Sequence, residues 1–275
     1  MSKKCLSSAK GLLVKRRIDE EIVARGLLKS RSEAKSFILE GKVLLNGTQA
    51  IKPNTPVKES DVIALTEPKK FVSRGGFKLD FALKEFSISV VDLVALDIGV
   101  STGGFTDCLL KNGAKKVYSV DVGFGQIDMK LRNDPHVILL ERTNARYLTN
   151  NQIPEPIDIA VIDVSFISIL KILGNVSLLI KDHGDIVSLV KPQFESERYG
   201  TKKGIVKDKL IHIGILKEMI KRIFDLNLIV TDLAYSPLKG GKGNIEFFFR
   251  IKKAGVVVNL EDVNKIVEEA WEIIK

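Results

Sequence analysis

The chain has 275 residues, of which 45% are hydrophobic and 28% charged, and its formal net charge is +9. Its two cysteines, Cys5 and Cys108, are too few for a disulfide framework. No apolar run approaches the roughly 18 residues of a membrane-spanning helix, and the apolar stretch after the basic start is too short for a signal peptide. These properties argue against a disulfide-rich secreted scaffold and an integral membrane protein, and we expect a reduced, cytoplasmic protein.

The positive charge is concentrated in the first part of the chain. Residues 1–78 hold 17 Lys and Arg against 8 Asp and Glu, which accounts for the whole net charge of +9. A basic segment attached to a neutral body favours a polyanionic partner, with nucleic acid first. A solvated basic surface without a partner is the alternative that charge alone leaves open.

Residues 15–66 are predicted to form a small domain of two helices followed by a small sheet. The first helix, in RRIDEEIVARG, stops at Gly26, and Ser30 can cap a second helix that ends at Gly41. The run KVLLNGTQAI then predicts two short strands around an Asn-Gly hairpin turn, and DVIALT supplies a further strand.

Within this domain, the run RIDEEIVARGLLKSRSEAKSFILEGKVLLNG resembles the S-four-type RNA-binding module, named for a small-subunit ribosomal protein. The resemblance implies RNA binding, in which Lys and Arg side chains are the usual phosphate contacts. Ordinary surface charge is the alternative for each such residue. The predicted RNA contacts are Arg17, Lys29, Arg31, Lys35, Lys42 and, beyond the module, Arg74.

A larger domain is predicted over residues 73–275, after an N-terminal extension at 1–14 and a linker at 67–72. Strands and helices alternate through it, which predicts an α/β fold, a Rossmann-like doubly wound sheet with helices on both faces. The predicted strands are 93–98, 116–121, 136–140, 157–162, 184–190, 228–234 and 245–251. The predicted helices are 77–86, 104–112, 143–150, 168–178, 207–225 and 260–274.

The stretch LDIGVSTGGFTD follows the first strand of this sheet, and ligands of doubly wound sheets bind beyond the strand ends. It has neither the GxGxxG spacing of dinucleotide sites nor the Gly-Lys-Ser/Thr of a phosphate loop, which disfavours NAD and ATP. An acid followed by small residues and glycines suits S-adenosylmethionine, and an Asp ends the next strand, where a ribose-binding acid is expected. A tight connection without a ligand is the alternative. The predicted cofactor-binding residues are Asp97, Gly99, Ser101, Thr102, Gly103, Gly104, Phe105 and Asp121.

A protein that binds S-adenosylmethionine at this place is most simply a methyltransferase. The turn after the fourth predicted strand then indicates which atom of the substrate accepts the methyl group. Amino-directed methyltransferases usually carry an Asn/Asp-Pro-Pro-aromatic turn there, whereas residues 163–166 read DVSF, without proline. A carbon-directed enzyme needs a nucleophilic cysteine near that turn, and both cysteines lie elsewhere. An oxygen acceptor is therefore favoured. A ribose hydroxyl needs a base and cationic neighbours, and lysines can supply both.

Four charged residues lie in suggestive places for this chemistry. Lys191 and Asp163 end apolar strands, Glu246 lies on an apolar strand, and Lys78 lies near the start of the domain. Charges in such places are costly unless they are paired. They predict either a catalytic group or a pair of structural salt bridges.

Eight runs of this chain, taken in order, resemble the TlyA family of ribosomal RNA 2′-O-methyltransferases, also called hemolysin A-like proteins. They are SRGGFKL, LDIGVSTGGFTD, DVGFGQ, RNDPHV, LERTNAR, DVSFIS, LVKPQFE and GNIEFF. The resemblance, which runs from about Arg17 to about Phe249, implies S-adenosylmethionine as methyl donor. It also implies ribosomal RNA or ribosomal subunits as partner, with a cytidine ribose of the small subunit, the large subunit or both as substrate.

The family resembles other 2′-O-methyltransferases with a Lys-Asp-Lys-Glu tetrad, which motif by motif falls on Lys78, Asp163, Lys191 and Glu246. The resemblance implies that Lys191 is the base or the direct neighbour of the reacting hydroxyl. Lys78 would hold and polarise that hydroxyl, and Glu246 would orient Lys78. Asp163 would sit between the methyl donor and the lysines, and it is therefore also predicted to bind the cofactor.

Two other functions stay open at this stage. The second family name raises a membrane-lytic protein, although the sequence shows no clear membrane segment. An RNA-binding protein with an inactive methyltransferase fold is the other, and the presence of all four tetrad residue types argues against it. The histidines lack metal-ligand spacing, so no metal is expected. The segment ERYGTKKGIVKD is interpreted either as a lid that closes over the substrate or as a solvated loop before the helix at 207–225.

Overall fold

The computed structural model describes residues 16–50, 52–66, 70–195 and 204–274. The chain divides into two compact units, one up to Lys70 and one from Phe71 onward. The expected N-terminal extension and most of the expected lid lie outside the described residues.

The first unit consists of two helices and short strands. Its helices are α1 (Ile18–Ala24) and α2 (Arg31–Leu39). Strand β1 (Arg16–Arg17) pairs with β4 (Pro56–Val57). Strand β2 (Val43–Leu45) pairs with β3 (Thr48–Gln49) and with β5 (Ile63–Leu65).

Local chemistry accounts for this unit. The Ser30 side chain accepts a hydrogen bond from the Glu33 amide at 3.2 Å and caps α2, as predicted. Asn46 and Gly47 both have positive φ and form the predicted turn between β2 and β3. The two-residue strands β1 and β4 were not predicted, because so short a pair leaves no periodicity in the sequence.

The second unit is a seven-stranded sheet with helices packed on it. Its strands are β6 (Val94–Ile98), β7 (Lys116–Val120), β8 (Val137–Leu140), β9 (Ile157–Ile162), β10 (Ile180–Val190), β11 (Ile229–Tyr235) and β12 (Phe247–Lys252). Its helices are α3 (Arg74–Glu85), α4 (Gly104–Lys111), α5 (Met129–Arg132), α6 (Leu170–Leu179), α7 (Pro192–Glu195), α8 (Lys209–Phe224) and α9 (Leu260–Ile273). The strand order is β11-β12-β10-β9-β6-β7-β8, which confirms the predicted α/β sheet.

Strand β12 is antiparallel to both of its neighbours, β10 and β11, whereas β6 to β10 run parallel. Val190 pairs with Phe247, so β12 begins where β10 ends. Glu246 immediately precedes β12 and Lys191 immediately follows β10. The antiparallel strand therefore carries Glu246 to the carboxyl ends of the parallel strands, the edge at which ligands bind in such sheets.

The middle of the sheet is buried on both faces. Phe247, Phe248 and Phe249 are fully buried on β12, and the middle ring packs in a different core cluster from the other two. Successive residues of a strand point to opposite faces, so a continuous apolar run suits a strand that is covered on both sides.

The prediction and the structure differ at several places in the second unit. The helix expected at 143–150 is a single 3-10 turn, Ala145–Tyr147, which the Asn144 side chain caps and which ends at Leu148, where the backbone is extended. The four-residue helices α5 and α7 were not predicted. Part of the expected linker at 67–72 packs into this unit, since the Phe71 ring is fully buried there.

Candidate active site

Two adjoining cavities open at the carboxyl ends of β6 and β9, where the chain turns to opposite sides of the sheet. Their volumes are about 540 Å³ and about 200 Å³. Both linings include Gly99, Ser101, Asp163 and Ser165. This is the switch point of the sheet, where doubly wound folds bind their ligands.

The glycines of the loop after β6 allow the backbone to pass very close to its neighbours. Gly99 has φ +87°, and a Cβ there would overlap the backbone carbonyl of Asp163. Gly103 has φ +92°, and a Cβ there would overlap the Leu131 side chain. A side chain at Gly99 would separate the ends of β6 and β9, between which the cavities open.

Asp121 lies in the larger cavity with both carboxylate oxygens fixed by backbone amides. The Ser101 amide donates to Oδ2 at 2.7 Å, and the Gly123 amide donates to Oδ1 at 2.7 Å. Each oxygen keeps a further lone pair. A carboxylate held in this way can accept hydrogen bonds from the two neighbouring hydroxyls of a ribose, as predicted for this residue.

Other predicted cofactor residues divide into those that line a cavity and those that do not. Besides Asp121, those in a lining are Gly99, Ser101 and Asp163, which both cavities share, and Thr102, Gly104 and Phe105, which line the smaller one. Gly103 and Asp97 are in neither lining.

Asp97 is fully buried, and its position therefore does not favour a direct contact with a ligand in either cavity. Its Oδ2 accepts a hydrogen bond from the Thr106 hydroxyl at 2.6 Å, and its Oδ1 has no hydrogen-bond partner among the described residues. Burial, together with the nearby carboxylates of Asp163 and Asp121, raises the pKa of Asp97 to about 7. Through its bond to Thr106, the Asp97 carboxyl joins the end of β6 to the first turn of α4.

The four predicted tetrad residues form two ion pairs. Lys191 Nζ lies 2.6 Å from Asp163 Oδ1 and donates to Ser165 Oγ at 2.9 Å. Lys78 Nζ lies 2.6 Å from Glu246 Oε2, and this pair is almost completely buried. Lys191 and Asp163 both line the smaller cavity, where charge is exposed to a ligand. The pairing alone fits salt bridges as well as a tetrad, and the position at the cavity favours the tetrad.

The short crossing between α3 and α4 positions Lys78. A Cβ on Gly76 of α3 would overlap the Phe71 side chain and lie 2.9 Å from the Gly104 carbonyl oxygen of α4, and a Cβ on Gly104 would overlap the Ser73 hydroxyl. Because α3 also contributes Gly75 to the smaller cavity, this close packing holds the lysine-bearing helix against the loop after β6.

Phe166 is a site residue that the sequence did not indicate. Its side chain is 90% exposed although it lines the larger cavity, and its ring centroid lies 5.0 Å from that of Phe194. Its φ is +64°, which is uncommon for an aromatic residue. The sequence could have drawn attention to Phe166, since it is the aromatic fourth residue of the DVSF turn. The positive φ that turns its ring outward leaves no pattern in the sequence.

Three of the predicted RNA contacts in the first unit are engaged in ion pairs with the unit itself. The buried carboxylate of Asp19 forms ion pairs with Arg17, whose Nε lies 2.9 Å from Oδ1, and with Arg31, whose Nη2 lies 3.3 Å from Oδ2. Lys42 pairs with Glu40. The arginine side chains are still about half exposed, so a phosphate can share them.

The other predicted RNA contacts differ in surroundings. Lys29 and Lys35 lie at the exposed start and face of α2. Arg74, by contrast, donates to the Lys239 carbonyl oxygen at 2.5 Å and joins the start of α3 to the loop before β12. This contact gives Arg74 a structural role whether or not it also meets RNA.

No three His, Cys, Asp or Glu side chains are grouped so as to hold a metal ion in the part of the chain that the structure describes. His212 is buried beside Trp271, whose indole N–H donates to its Nδ1 at 3.3 Å. Burial lowers the pKa of His212 to about 4, as expected for a neutral core histidine.

The fold and the site define an enzyme of group transfer, built on a doubly wound sheet with two adjoining cavities, of which the smaller is lined by the Lys191–Asp163 pair, whereas Lys78 and Glu246 are in neither lining. Residues 71–253 match the FtsJ-like methyltransferase family, and residues 16–63 match the S4 domain. The chain therefore belongs to the FtsJ-like methyltransferases and carries an S4 domain before the methyltransferase domain.

Relatives share this architecture over nearly their whole length. Hemolysin A of Brachyspira hyodysenteriae is 44% identical over 236 residues, which cover 84% of this chain and 97% of the relative. The 16S/23S rRNA (cytidine-2′-O)-methyltransferase TlyA of Mycobacterium tuberculosis is 42% identical over 241 residues, which cover 86% of this chain and 89% of the relative. A solved Streptococcus thermophilus protein, provisionally described as a hemolysin, is 38% identical with a TM-score of 0.73, covering 95% of this chain and 97% of its own.

Proposed function

We propose that the protein transfers a methyl group from S-adenosylmethionine to a ribose 2′-hydroxyl of ribosomal RNA, with cytidine as the target nucleoside. The observation that carries this proposal is the Lys191–Asp163 pair, which lies where the two cavities meet. The similarity to a cytidine-2′-O-methyltransferase at 42% identity supports the choice of target.

The larger cavity fits S-adenosylmethionine. Its volume of about 540 Å³ is in the range of small-molecule sites, and its lining supplies the fixed Asp121 carboxylate for the ribose hydroxyls. Asp163 is shared with the smaller cavity and would face the positively charged end of the cofactor. When bound, the cofactor supplies an electrophilic methyl group.

The residues of the smaller cavity handle the acceptor hydroxyl. That hydroxyl must lose its proton as the methyl group is transferred, and the oxygen carries developing negative charge meanwhile. Lys191 is held by Asp163 and Ser165, and as an ammonium with three donors it still has one N–H direction left for the acceptor oxygen. To act as the base it would first have to release a proton, and the lone pair of its neutral amine would then take the proton of the hydroxyl. We assign Lys191 to the reacting oxygen, as its base or its direct neighbour, and Lys78, oriented by Glu246, to holding the hydroxyl.

The S4 domain supports an RNA substrate. Residues 16–63 hold nine Lys and Arg against seven Asp and Glu, so most of the excess positive charge of residues 1–78 lies on either side of the domain. Phosphate neutralisation by Lys and Arg supplies most of the sequence-independent affinity for nucleic acids, and the exposed Lys and Arg of the domain can take part in it. We therefore assign the first unit to RNA binding and the second to methyl transfer, with ribosomal subunits as the partner.

Transfer of tritiated methyl groups from S-adenosylmethionine to purified small and large ribosomal subunits tests the proposal. We expect wild-type transfer to vanish in Lys191→Ala, with the label in linkages that survive alkaline hydrolysis of the RNA. Lys181→Ala is the matched control, because Lys181 makes an ion pair of the same length with Asp158 at the opposite end of β10. Label released in base-modified mononucleotides, or equal transfer by Lys191→Ala, would overturn the assignment.

The hemolysin name of a relative raises membrane lysis as the alternative. Among the described residues, we find no helix with the length and apolar character needed to cross a membrane. Dye release from lipid vesicles by the purified wild-type protein distinguishes the two functions: release at protein concentrations that give no methyl transfer would favour lysis.

A further inference from the structure

Two exposed pairs of a ring and an arginine lie on the second unit, on chain segments that line the larger cavity, and outside the tetrad. Phe124 is 62% exposed, and the Arg142 guanidinium carbon lies 4.4 Å from the centroid of its ring. Tyr147 is 70% exposed, and the Arg146 guanidinium carbon lies 5.7 Å from its ring centroid. We call these four residues the aromatic–arginine patch. Large rings at such exposure, each paired with a guanidinium, are a surface feature that core packing does not explain.

The loop that carries Phe124 is fixed by hydrogen bonds. The Gly125 amide donates to Glu141 Oε1 at 2.6 Å, and Arg132 donates to the same oxygen at 2.6 Å. The Arg142 amide donates to the Gly123 carbonyl oxygen at 3.0 Å. The ring is therefore presented on an ordered loop, so that little conformational freedom is lost when a ligand stacks on it.

The backbone of Arg142 is strained in a way that serves this arrangement. Its φ of +53° lies in the left-handed region, which non-glycine residues seldom occupy. Such strain persists where surrounding bonds enforce it, and it concentrates at binding sites. Here the strained residue bonds to the Phe124 loop, and the next residue, Thr143, lines the larger cavity.

The patch has a positive charge and a position at the cavity mouth. Arg132 lies 6.0 Å from the Phe124 ring centroid, so that guanidiniums of two residues approach this ring. The acid next to Arg142 in the chain, Glu141, is already bonded to Arg132 and to the loop backbone. Val122 and Gln126, on either side of Phe124 in the chain, line the larger cavity together with Arg146, whereas Phe124 does not. The Phe124 ring therefore lies outside the lining of the space assigned to the cofactor.

Exposed rings combined with arginines are the means by which proteins hold single-stranded nucleic acid: bases stack on the rings, and guanidiniums contact phosphates. We propose that the aromatic–arginine patch binds an unpaired nucleotide of the RNA near the methylated one, with its base stacked on Phe124. The inference rests on the proposed function, because it takes RNA as the ligand. It adds a second RNA contact, on the methyltransferase unit itself.

Equilibrium binding of the full chain, measured apart from turnover, tests the patch. The probes are a fluorescein-labelled oligocytidylate RNA of ten nucleotides, purified ribosomal subunits, and S-adenosylmethionine in calorimetry. The variants are Phe124→Ala and Phe124→Tyr, which keeps a ring for stacking. Phe224→Ala is the matched control, because Phe224 is 61% exposed at the end of α8.

We expect Phe124→Ala to weaken binding of the oligonucleotide and of the subunit substrate by about five-fold or more, the effect of losing one base–aromatic stack. Phe124→Tyr and Phe224→Ala should bind as the wild type does, and the affinity for S-adenosylmethionine should be unchanged in all variants. Equal RNA binding by Phe124→Ala and Phe224→Ala would overturn the proposal. A loss confined to S-adenosylmethionine affinity would also overturn it, because the ring would then belong to the cofactor site.

The two proposals can fail separately in this experiment. Phe124-dependent RNA binding by a wild-type protein that transfers no methyl group would remove the proposed function and leave the patch. Methyl transfer by the wild type with RNA binding independent of Phe124 would remove the patch alone. Absence of RNA binding by the wild type would overturn the patch.

Discussion

At the scale of single residues, the buried pair of Lys78 and Glu246 combines a structural and a chemical role that substitutions can separate. Lys78→Met leaves the Glu246 carboxylate buried without its partner, and we expect a loss of about 3–5 kcal/mol in the free energy of unfolding. Adding Glu246→Leu removes the unpaired charge and should restore most of that stability, while methyl transfer stays abolished. Urea unfolding and transfer assays on both variants check this, and a double variant that keeps full activity would make the pair purely structural.

A second residue-scale prediction concerns Asp97, whose pKa is raised to about 7 in the folded protein, mainly by burial. The unfolded chain has a carboxyl pKa near 3.8, so the folded protein binds this proton more tightly. The resulting stabilisation is complete below about pH 4 and is lost as the pH rises through about 7. Asp97→Asn keeps an acceptor for Thr106 and does not titrate.

The unfolding free energy of Asp97→Asn, relative to the wild type, should therefore increase between pH 4 and pH 7 and stay constant above pH 7. Urea titrations at pH 5, 6, 7 and 8 measure the difference, with Asp225→Asn, an exposed position after α8, as control. Parallel curves for Asp97→Asn and the wild type would show that Asp97 is ionised throughout.

The residue types at the candidate site could be predicted from the sequence, whereas the backbone angles and the burial of some site residues could not. The residue types of the tetrad and Asp121 were predicted from strand-end positions and from motifs, because charges at such places need partners or ligands. The outward turn of Phe166 and the strained Arg142 were not predicted, because positive φ at residues other than glycine depends on surrounding contacts. The burial of Asp97 was not predicted, because the sequence around an acid at a strand end does not reveal whether the following loop covers that side chain.

At the scale of elements, the crossing of α3 and α4 controls the position of Lys78. Gly76→Ala would make its Cβ overlap the Phe71 side chain and bring it to 2.9 Å from the Gly104 carbonyl oxygen, and we expect a loss of about 1–3 kcal/mol in stability and a larger fractional loss in transfer rate. Gly174→Ala on α6 is the control, because a Cβ there meets nothing within 4 Å and should stabilise the helix. Thermal unfolding and methyl-transfer assays on both variants measure these effects. A Gly76→Ala variant with wild-type stability and transfer rate would show that α3 and α4 can move apart without cost.

The elements themselves were predicted to different degrees. Long periodic or apolar segments such as β9 and α9 were predicted almost to the residue, since one face or both are buried. The helix expected at 143–150 was wrong, because the Asn144 and Thr149 side chains there accept hydrogen bonds from nearby backbone amides. The insertion of β12 between β10 and β11 was not predictable, since an apolar run has the same pattern in either direction.

At the scale of the whole molecule, the uneven charge predicts strongly salt-dependent binding to RNA. Removing a lysine that neutralises one phosphate should reduce the slope of log affinity against log salt by about 1. Lys29→Glu and Lys35→Glu on the first unit are expected to lower both affinity and slope, with S-adenosylmethionine affinity unchanged. Lys221→Glu, at an exposed position on α8, is the control with the same charge change. A slope that falls equally in all three variants would assign the effect to net charge alone.

The late position of β12 in the chain has a consequence for the order in which the protein is made. Strand β10 keeps an open edge until residues 247–252 have left the ribosome, because the strand that covers this edge is the last to be synthesised. Glu246 emerges with it. Closure of the sheet and completion of the predicted tetrad are thus one event, and a nascent chain has no stage at which its sheet is complete yet lacks Glu246.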